Sequence, residues 1–575
     1  MTGFEIERLP FVDEQVQAWA KAHPKAANWP VVYTLNGGGD VYIGESLNMA
    51  SRAKQHRAAP EKRHLESMRV VMDPKFNKSV CLDLESYLIG LFSGEGKYRV
   101  LNRNDGIIDA DYYDRERYQG TFREIFEQLR DDGLFERSIP EIRNSDLFKL
   151  SPFKALTHEQ AIAVEDILEG LFADLGSERR TTSVIQGAPG TGKTIVAIYL
   201  IKLLRDIADR PRTEDLDRDS MFAEFFAEGY ADVIAGRRIG FVIPQQSLRT
   251  SVQRVFKKTP GLHPGMVLTP FQVGNSEHDF DILVVDEAHR LNQRANQPSG
   301  PKNKQFQQIT ERLFGFDDAS KTQLDWIQAK AKHVILMLDR AQSVRPADLP
   351  AATTAALVDE ARRDDRLYPL TSQMRVAAGE DYVGFTRALL GDDPPAPTSF
   401  RDYDLRVFDD LGAMRREIRK RDDEVGLARL VAGYAWPWAS KKDPTAYDIE
   451  LDGERMRWNV TATDWINSPT SRDEVGSIHT VQGYDLNYAG VIIGPEVSLA
   501  PDGRVQFVRE RYFDKKGAEN NPKLGIVYSD ADLLEFVRNV YSVLLTRGMR
   551  GTYVYVVDPA LRERLRTTIA TVDGR

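Results

Sequence analysis

The stretch Gly187-Ala188-Pro189-Gly190-Thr191-Gly192-Lys193-Thr194 constrains this chain more than any other. It lies between a β-branched run, TTSVIQ, and a helix-forming run, IVAIYLIKLL, and it satisfies the pattern GxxxxGK[ST]. A glycine-rich turn in a strand–loop–helix setting gathers backbone N–H groups into one concavity, and the helix N-terminus adds a favourable field for anions. The expected role is a phosphate cradle, with Lys193 reaching the β- and γ-phosphates and Thr194 on Mg²⁺. Downstream, FDILVVDEAHRL ends a buried-strand pattern in Asp286-Glu287. Carboxylates at the C-terminal edge of an open α/β sheet stand where such sheets bind ligands. Asp286 suits the metal shell, and Glu287 suits orienting or deprotonating an attacking water. Together these predict a P-loop ATPase whose cofactors are ATP and Mg²⁺.

The rest of the chain fits an α/β protein of several domains, since 575 residues exceed one ordinary core. Short apolar runs recur between helical stretches: TTSVIQG, IGFVIP, FDILVVDE, HVILML, AGVIIG and TYVYVVD. Near-continuous apolar strands alternating with helices predict parallel sheets covered on both faces. The expected organisation is a helical lead-in over 1–28, a small α+β domain over 29–117 and a helical linker over 118–151. Two parallel-sheet domains follow over 152–345 and 346–575, the second with an irregular Trp-rich insertion at about 432–469. No apolar run reaches the length of a membrane span, and MTGFEIERLP lacks the basic-then-apolar pattern of a leader. The single cysteine, Cys81, excludes an intrachain disulfide and suits a cytoplasmic setting. A net charge of −9 argues against charge-driven adhesion to nucleic acid, so any binding must use local basic surface such as Ser51–Arg69.

Further motifs follow the phosphate loop in order: LTHEQAIAV ahead of it, then VIPQQSLRTSVQRVF, MLDRAQSV, PLTSQMRV, SIHTVQGYDLNYAGVIIG and YSVLLTRGMRGTYVYV. From about Leu156 to Asp558 this series resembles superfamily 1 helicases, with two RecA-like domains. The resemblance implies Gln160 reading adenine, Asp339 and Gln342 sensing the γ-phosphate, and Arg375 and Arg547 as cationic fingers from the second domain. It implies that Gln482 and Gly483 couple nucleotide to strand. Asp485 stands near the ribose where the family carries Glu. The wording of the last two motifs resembles the Schlafen-type DNA/RNA helicase domain family, several members of which act as nucleic-acid-stimulated ATPases.

Near the N-terminus, VVYTLNGGGDVYIGES reads as a hairpin turning at Asn36–Asp40, because no GK[ST] follows the glycines. Arg52 and His56 share a helix face at i,i+4 spacing. LDLESYLIGLF sets Leu84, Leu88 and Leu91 at core spacing with Glu85 at the margin, and VLNRND supplies Asn102. This ordered set resembles GIY-YIG endonucleases over about Trp29–Asp105, with Val31-Val32-Tyr33 in place of GIY and Tyr42-Ile43-Gly44 intact. The resemblance implies Glu85 on one divalent metal ion and Arg52 stabilising the transition state. Tyr33 or Tyr42 would take a proton from water with His56 assisting, and Asn102 would brace the site. Unless the metal or Arg52 lowers it, a tyrosine pKa near 10 makes that proton transfer demanding. The expectation is an ATP-dependent nuclease acting on nucleic acid, DNA favoured and RNA possible, in prokaryotic defence or repair. A nucleotide-controlled sensor without cleavage and an RNA-processing nuclease are the alternatives.

Overall fold

The computed structural model describes residues 3–24, 28–103, 112–177, 179–209, 221–227, 229–294, 297, 299–339, 343–377, 380–461, 464–481 and 484–570. The chain forms two compact units. One comprises Met1–Glu165 with Ile198–Gly236 and Ser251–Gly265, and the other comprises Asp166–Ala197, Arg237–Thr250 and Met266–Arg575.

In the first unit the hairpin strands Val31–Gly37 and Asp40–Ser46 pair in antiparallel register, Tyr33 opposite Gly44, and Gly38 and Gly39 supply the positive φ of the turn. The sheet continues through Ser67–Met72 to Glu5–Pro10 on one side and to Arg99–Val100 on the other. Alternation along Val31–Leu35 sorts side chains to two faces. Val31, Tyr33 and Leu35 join Trp19, Met49 and Ala53 from the helices Asp13–Ala22 and Met49–Ala58. Val32, Val41 and Ile43 join Leu84, Leu88 and Phe92 from the helix Lys78–Glu95 on the other.

Two expected boundaries move. The lead-in over 1–28 is helical only from Asp13, because EIERLP pairs with Ser67–Met72 as an edge strand. The presumed linker over 118–151 is core: the helix Arg115–Asp131 buries Phe122, Ile125, Phe126 and Leu129 against the helix Lys78–Glu95. That spacing makes one continuous apolar stripe, which a charged composition conceals.

The second unit holds two parallel sheets. The first runs Leu367–Leu370, Thr181–Gly187, Ala331–Leu338, Phe280–Val285, Ile239–Val242, Val267–Leu268. The second runs Asp404–Val407, Gly548–Val556, Leu486–Ile493, Ala428–Ala432, Val475–Ser477. The expected division at 345 falls too early: the helix Ala351–Arg363 packs Leu357, Val358 and Ala361 into the first sheet's core, and Leu367–Leu370 lies parallel to Thr181–Gly187. The Trp-rich insertion is not wholly irregular. It contains an antiparallel hairpin, Ile449–Leu451 with Glu454–Met456, and buries Trp458 and Trp465. Among the described residues no helix is long and apolar enough to cross a membrane.

Candidate functional site

In the second unit, the strand Thr181–Gly187 delivers the phosphate loop to the N-terminus of the helix Lys193–Ala208. Gly190 and Gly192 hold φ of 88° and 82°, a region costly for other residues. Lys193 is buried, and its Nζ donates to the carbonyls of Gly187 (2.7 Å) and Ala188 (2.9 Å), while Asp339 Oδ2 lies 3.9 Å away. Thr191 donates its hydroxyl to Ala188 O at 3.0 Å. Thr194 Oγ1 donates to Asp286 Oδ2 at 2.7 Å, so the hydroxyl and carboxylate assigned to Mg²⁺ converge across adjoining loops.

Asp286 and Glu287 follow directly on the strand Phe280–Val285. Burial raises the Asp286 carboxyl to about 6, the charge of Glu287 adding to the effect and Thr194 and Lys193 opposing it. Burial acts on Glu287 in the same sense, but His289, Lys193 and Arg290 outweigh it and hold this carboxyl below its ordinary range. Glu287 takes a left-handed backbone, φ 49°, which turns the chain so that His289 Nε2 lies 3.0 Å from Glu287 Oε2. The backbone N–H of Asp339 donates to His289 Nδ1 at 3.4 Å. His289 thus connects the expected base to the expected γ-phosphate sensor, a role that no spacing in DEAHRL announced. The buried Arg290 also acts on Glu287, and its Nη1 has no hydrogen-bond partner among the described residues.

Arg375 was expected from the second domain. It instead follows Leu367–Leu370 of the first sheet, on the segment that enters the second core at Val376. Here the chain is tied to the phosphate loop: Met374 N–H donates to Gly190 O at 3.0 Å, and Gln373 Nε2 donates to Pro189 O at 2.5 Å. Arg375 pairs with Asp485, so the carboxylate expected near the ribose faces the residue expected as a cationic finger. Arg547 leaves the helix Asp530–Leu545 and is buried, its Nε donating to Val543 O at 3.1 Å and its Nη1 to Tyr484 O at 3.4 Å. Burial lowers its guanidinium to about 9, with the like charge of Arg375 adding to the effect. Gln342, Gln482 and Gly483 lie outside the described residues. Gln160 belongs to the first unit, where its Oε1 accepts from Thr157 N–H at 3.1 Å.

The first unit gathers its own cluster. Tyr33 is fully buried, with its hydroxyl 2.7 Å from His56 Nε2. The Tyr42 ring lies 4.7 Å from the His56 ring and 6.2 Å from the Tyr33 ring. Burial drives the Tyr33 phenol well above its ordinary value, Tyr42 and Glu85 add to this, and Arg52 opposes them. In this state Arg52 therefore does not bring Tyr33 down to a readily ionised range. Arg52 Nη1 also donates to Gln55 Oε1 at 3.0 Å. Glu85 is half-buried on the helix Lys78–Glu95. Asn102 accepts from Ile43 N–H (3.1 Å) and donates to Ile43 O (2.7 Å), clamping the strand that carries Tyr42. Lys62, absent from the expected set, is buried with its Nζ 3.1 Å from His56 Nδ1. Among the described residues no group of three or more His, Cys, Asp or Glu could hold a metal ion.

The fold and the second unit's site define a P-loop ATPase built on two parallel sheets. Residues 180–558 match the Schlafen group 3 DNA/RNA helicase domain, and the chain belongs to that family. It is similar to the uncharacterized protein YPL245W of Saccharomyces cerevisiae, 26% identical over 413 residues that cover 66% of this chain and 83% of the yeast protein. Two solved structures are similar at lower identity. The arterivirus nonstructural protein 10 helicase in complex with DNA is 12% identical with a TM-score of 0.27, covering 70% of this chain and 65% of that one. Bacteroides Pif1 bound to single-stranded DNA is 8% identical with a TM-score of 0.24, covering 67% and 91%.

Proposed function

We propose that the chain is an ATP-dependent nucleic-acid-processing enzyme, in which the helicase-like ATPase works with a metal-dependent endonuclease on the N-terminal sheet. The single observation that carries the nuclease half is the convergence of Tyr42, Arg52, His56 and Glu85 on the buried hydroxyl of Tyr33. Glu85 offers one carboxylate, and Mg²⁺, which keeps several waters and takes one or two protein carboxylates, suits that donor set. When bound, the ion supplies Lewis-acid polarisation of a phosphate oxygen. Arg52 stabilises negative charge developing on the phosphate, Tyr33 or Tyr42 accepts a proton from water, and Asn102 holds the hairpin in place.

On the ATPase side, Thr194 and Asp286 would hold Mg²⁺ and Lys193 would leave the loop carbonyls for the nucleotide's phosphates. Glu287 orients or deprotonates water, and Arg375 and Arg547 stabilise charge on the transferred phosphoryl group. Nucleic acid is the partner, DNA favoured and RNA possible. The setting that suits the pairing is a cytoplasmic role in prokaryotic defence against phage or plasmid nucleic acid, or in repair. A second reading, a nucleic-acid-stimulated switch that neither unwinds nor cuts, is favoured by the Arg375–Asp485 pair, which occupies a finger that hydrolysis needs.

The test offers matched single- and double-stranded DNA and RNA to wild type, Glu85→Ala and Lys193→Ala. Glu85→Ala is expected to lose cleavage and keep ATPase activity, and Lys193→Ala to lose ATPase activity. Cleavage that survives in pure Glu85→Ala protein removes the nuclease assignment. Stimulated ATPase activity with no cut product under Mg²⁺ or Mn²⁺ selects the switch.

A further inference from the structure

Lys62 is 4% exposed, which is rare for a lysine, and it lies against the hydroxyl cluster of the first unit. Its Nζ is 3.1 Å from His56 Nδ1 and 3.9 Å from the centroid of the Tyr42 ring. On the far side of the same imidazole, Nε2 is 2.7 Å from the Tyr33 hydroxyl. His56 is itself fully buried. Burial, with the charges of Lys62 and Arg52 adding to it, lowers the imidazole to about 2, so the ring is neutral and carries one proton. An ammonium has donors and no acceptor. Nδ1 must therefore accept from Lys62, and the ring proton must sit on Nε2, where it points at the Tyr33 oxygen. In this arrangement His56 cannot take a proton from Tyr33.

We propose that Lys62 is a positioning residue of the nuclease site: it fixes His56 as the Nε2–H tautomer, which then donates a hydrogen bond that stabilises the Tyr33 phenolate. The assignment rests on the nuclease reading above, and it specifies how His56 assists: as a hydrogen-bond donor. The same ammonium lies over the face of Tyr42, a cation–π contact that favours charge on that phenol as well. The phenolate forms when Tyr33 gives its proton to solvent hydroxide, a loss that burial opposes and that the His56 and Arg52 donors favour. In the step that follows, a proton of the attacking water passes to the phenolate oxygen and the water oxygen bonds to phosphorus. The bond from phosphorus to the leaving oxygen breaks, and the electron pair stays on that oxygen. His56 keeps its proton throughout.

The test reads the tautomer directly, by nitrogen–proton correlation on the full chain with labelled histidine, the His56 signal being assigned by its loss in His56→Gln. Wild type is expected to show the Nε2–H tautomer. Lys62→Met is expected to show Nδ1–H or a mixture, and to lower kcat for cleavage at least tenfold with KM within twofold. Lys62→Arg is expected to restore both the tautomer and part of kcat. Retained ATPase activity and melting temperature in Lys62→Met report that the chain is folded. An Nδ1–H tautomer in wild type, or an unchanged tautomer in Lys62→Met, overturns the proposal. The wild-type measurement needs no substitution at Lys62, so it stands even where Lys62→Met fails to fold. A wild type that cuts no nucleic acid removes the nuclease reading, while the tautomer still decides what Lys62 does.

Discussion

Gly44 lies directly across the hairpin from Tyr33, and the Tyr33 ring lies over it. A β-carbon at position 44 would be 2.5 Å from Tyr33 Cζ and nearer still to its hydroxyl. The backbone at Gly44 does not have positive φ, so space alone forbids a side chain there. Carbon atoms settle at about 3.5 Å, so Gly44→Ala must push the ring away by about 1 Å. Tyr33 is fully buried, so the displaced ring must press on packed neighbours. Overpacking of this kind costs about 1–3 kcal/mol, and loss of the Tyr33–His56 hydrogen bond adds about 1 kcal/mol. The expected result is a first unit destabilised by about 2–4 kcal/mol, read as a lower melting transition. A reacting group misplaced by about 1 Å loses on the order of 100-fold in rate. Cleavage of a labelled DNA duplex should therefore fall by about that factor, while ATPase activity should stay near wild type. A folded Gly44→Ala protein that cuts within twofold of the wild-type rate would falsify the claim that Tyr33 is held in place for chemistry.

Three further outcomes are expected. Arg547→Ala should lower kcat for ATP hydrolysis by about 10³ or more, the scale of a cationic finger, with nucleotide affinity measured by fluorescent-nucleotide titration largely kept. Gly190→Ala should abolish ATP binding, because φ of 88° strains any L-residue and the new methyl group would come within 2.8 Å of Arg375 Cβ; unaltered binding would mean that this loop is not the phosphate cradle. Glu496 is fully buried, and burial raises its carboxyl to about 7 while the Tyr541 hydroxyl opposes the shift. A raised folded-state value means that stability is fully present below the unfolded value near 4.5 and is lost as pH rises through about 7. The loss is on the order of 3 kcal/mol, and Glu496→Gln should flatten the melting temperature between pH 5 and 8; a pH dependence equal to wild type would refute it.

The two sites differed in how far a linear reading could go. The P-loop and the DEAH run are local: a turn, a helix start and a strand end fix Lys193, Thr194, Asp286 and Glu287 within short segments, so type and order of residue suffice to nominate them. Arg375 was harder, because Leu367–Leu370 is too short to read as a strand and its parallel partner, Thr181–Gly187, lies far away in sequence. The edge strand Glu5–Pro10 was concealed by a charged, proline-ended sequence that gains its pairing only from Ser67–Met72. Lys62 carried no signal at all, since PEK after a helix reads as a solvated turn until His56 and Tyr42 are known to surround it.

By itself, then, the sequence determined the elements whose physics is local: the phosphate loop, the acidic strand end, the N-terminal hairpin, the alternation of apolar strands with helices. Only the tertiary structure decided which charges meet. The pairing of Arg375 with Asp485, the bridge from Glu287 through His289 to Asp339, and the line from Lys62 through His56 to Tyr33 all join residues brought together by sheet order and burial. Electrostatic energy depends on distance and on exclusion of water, and neither quantity is written in the order of the residues.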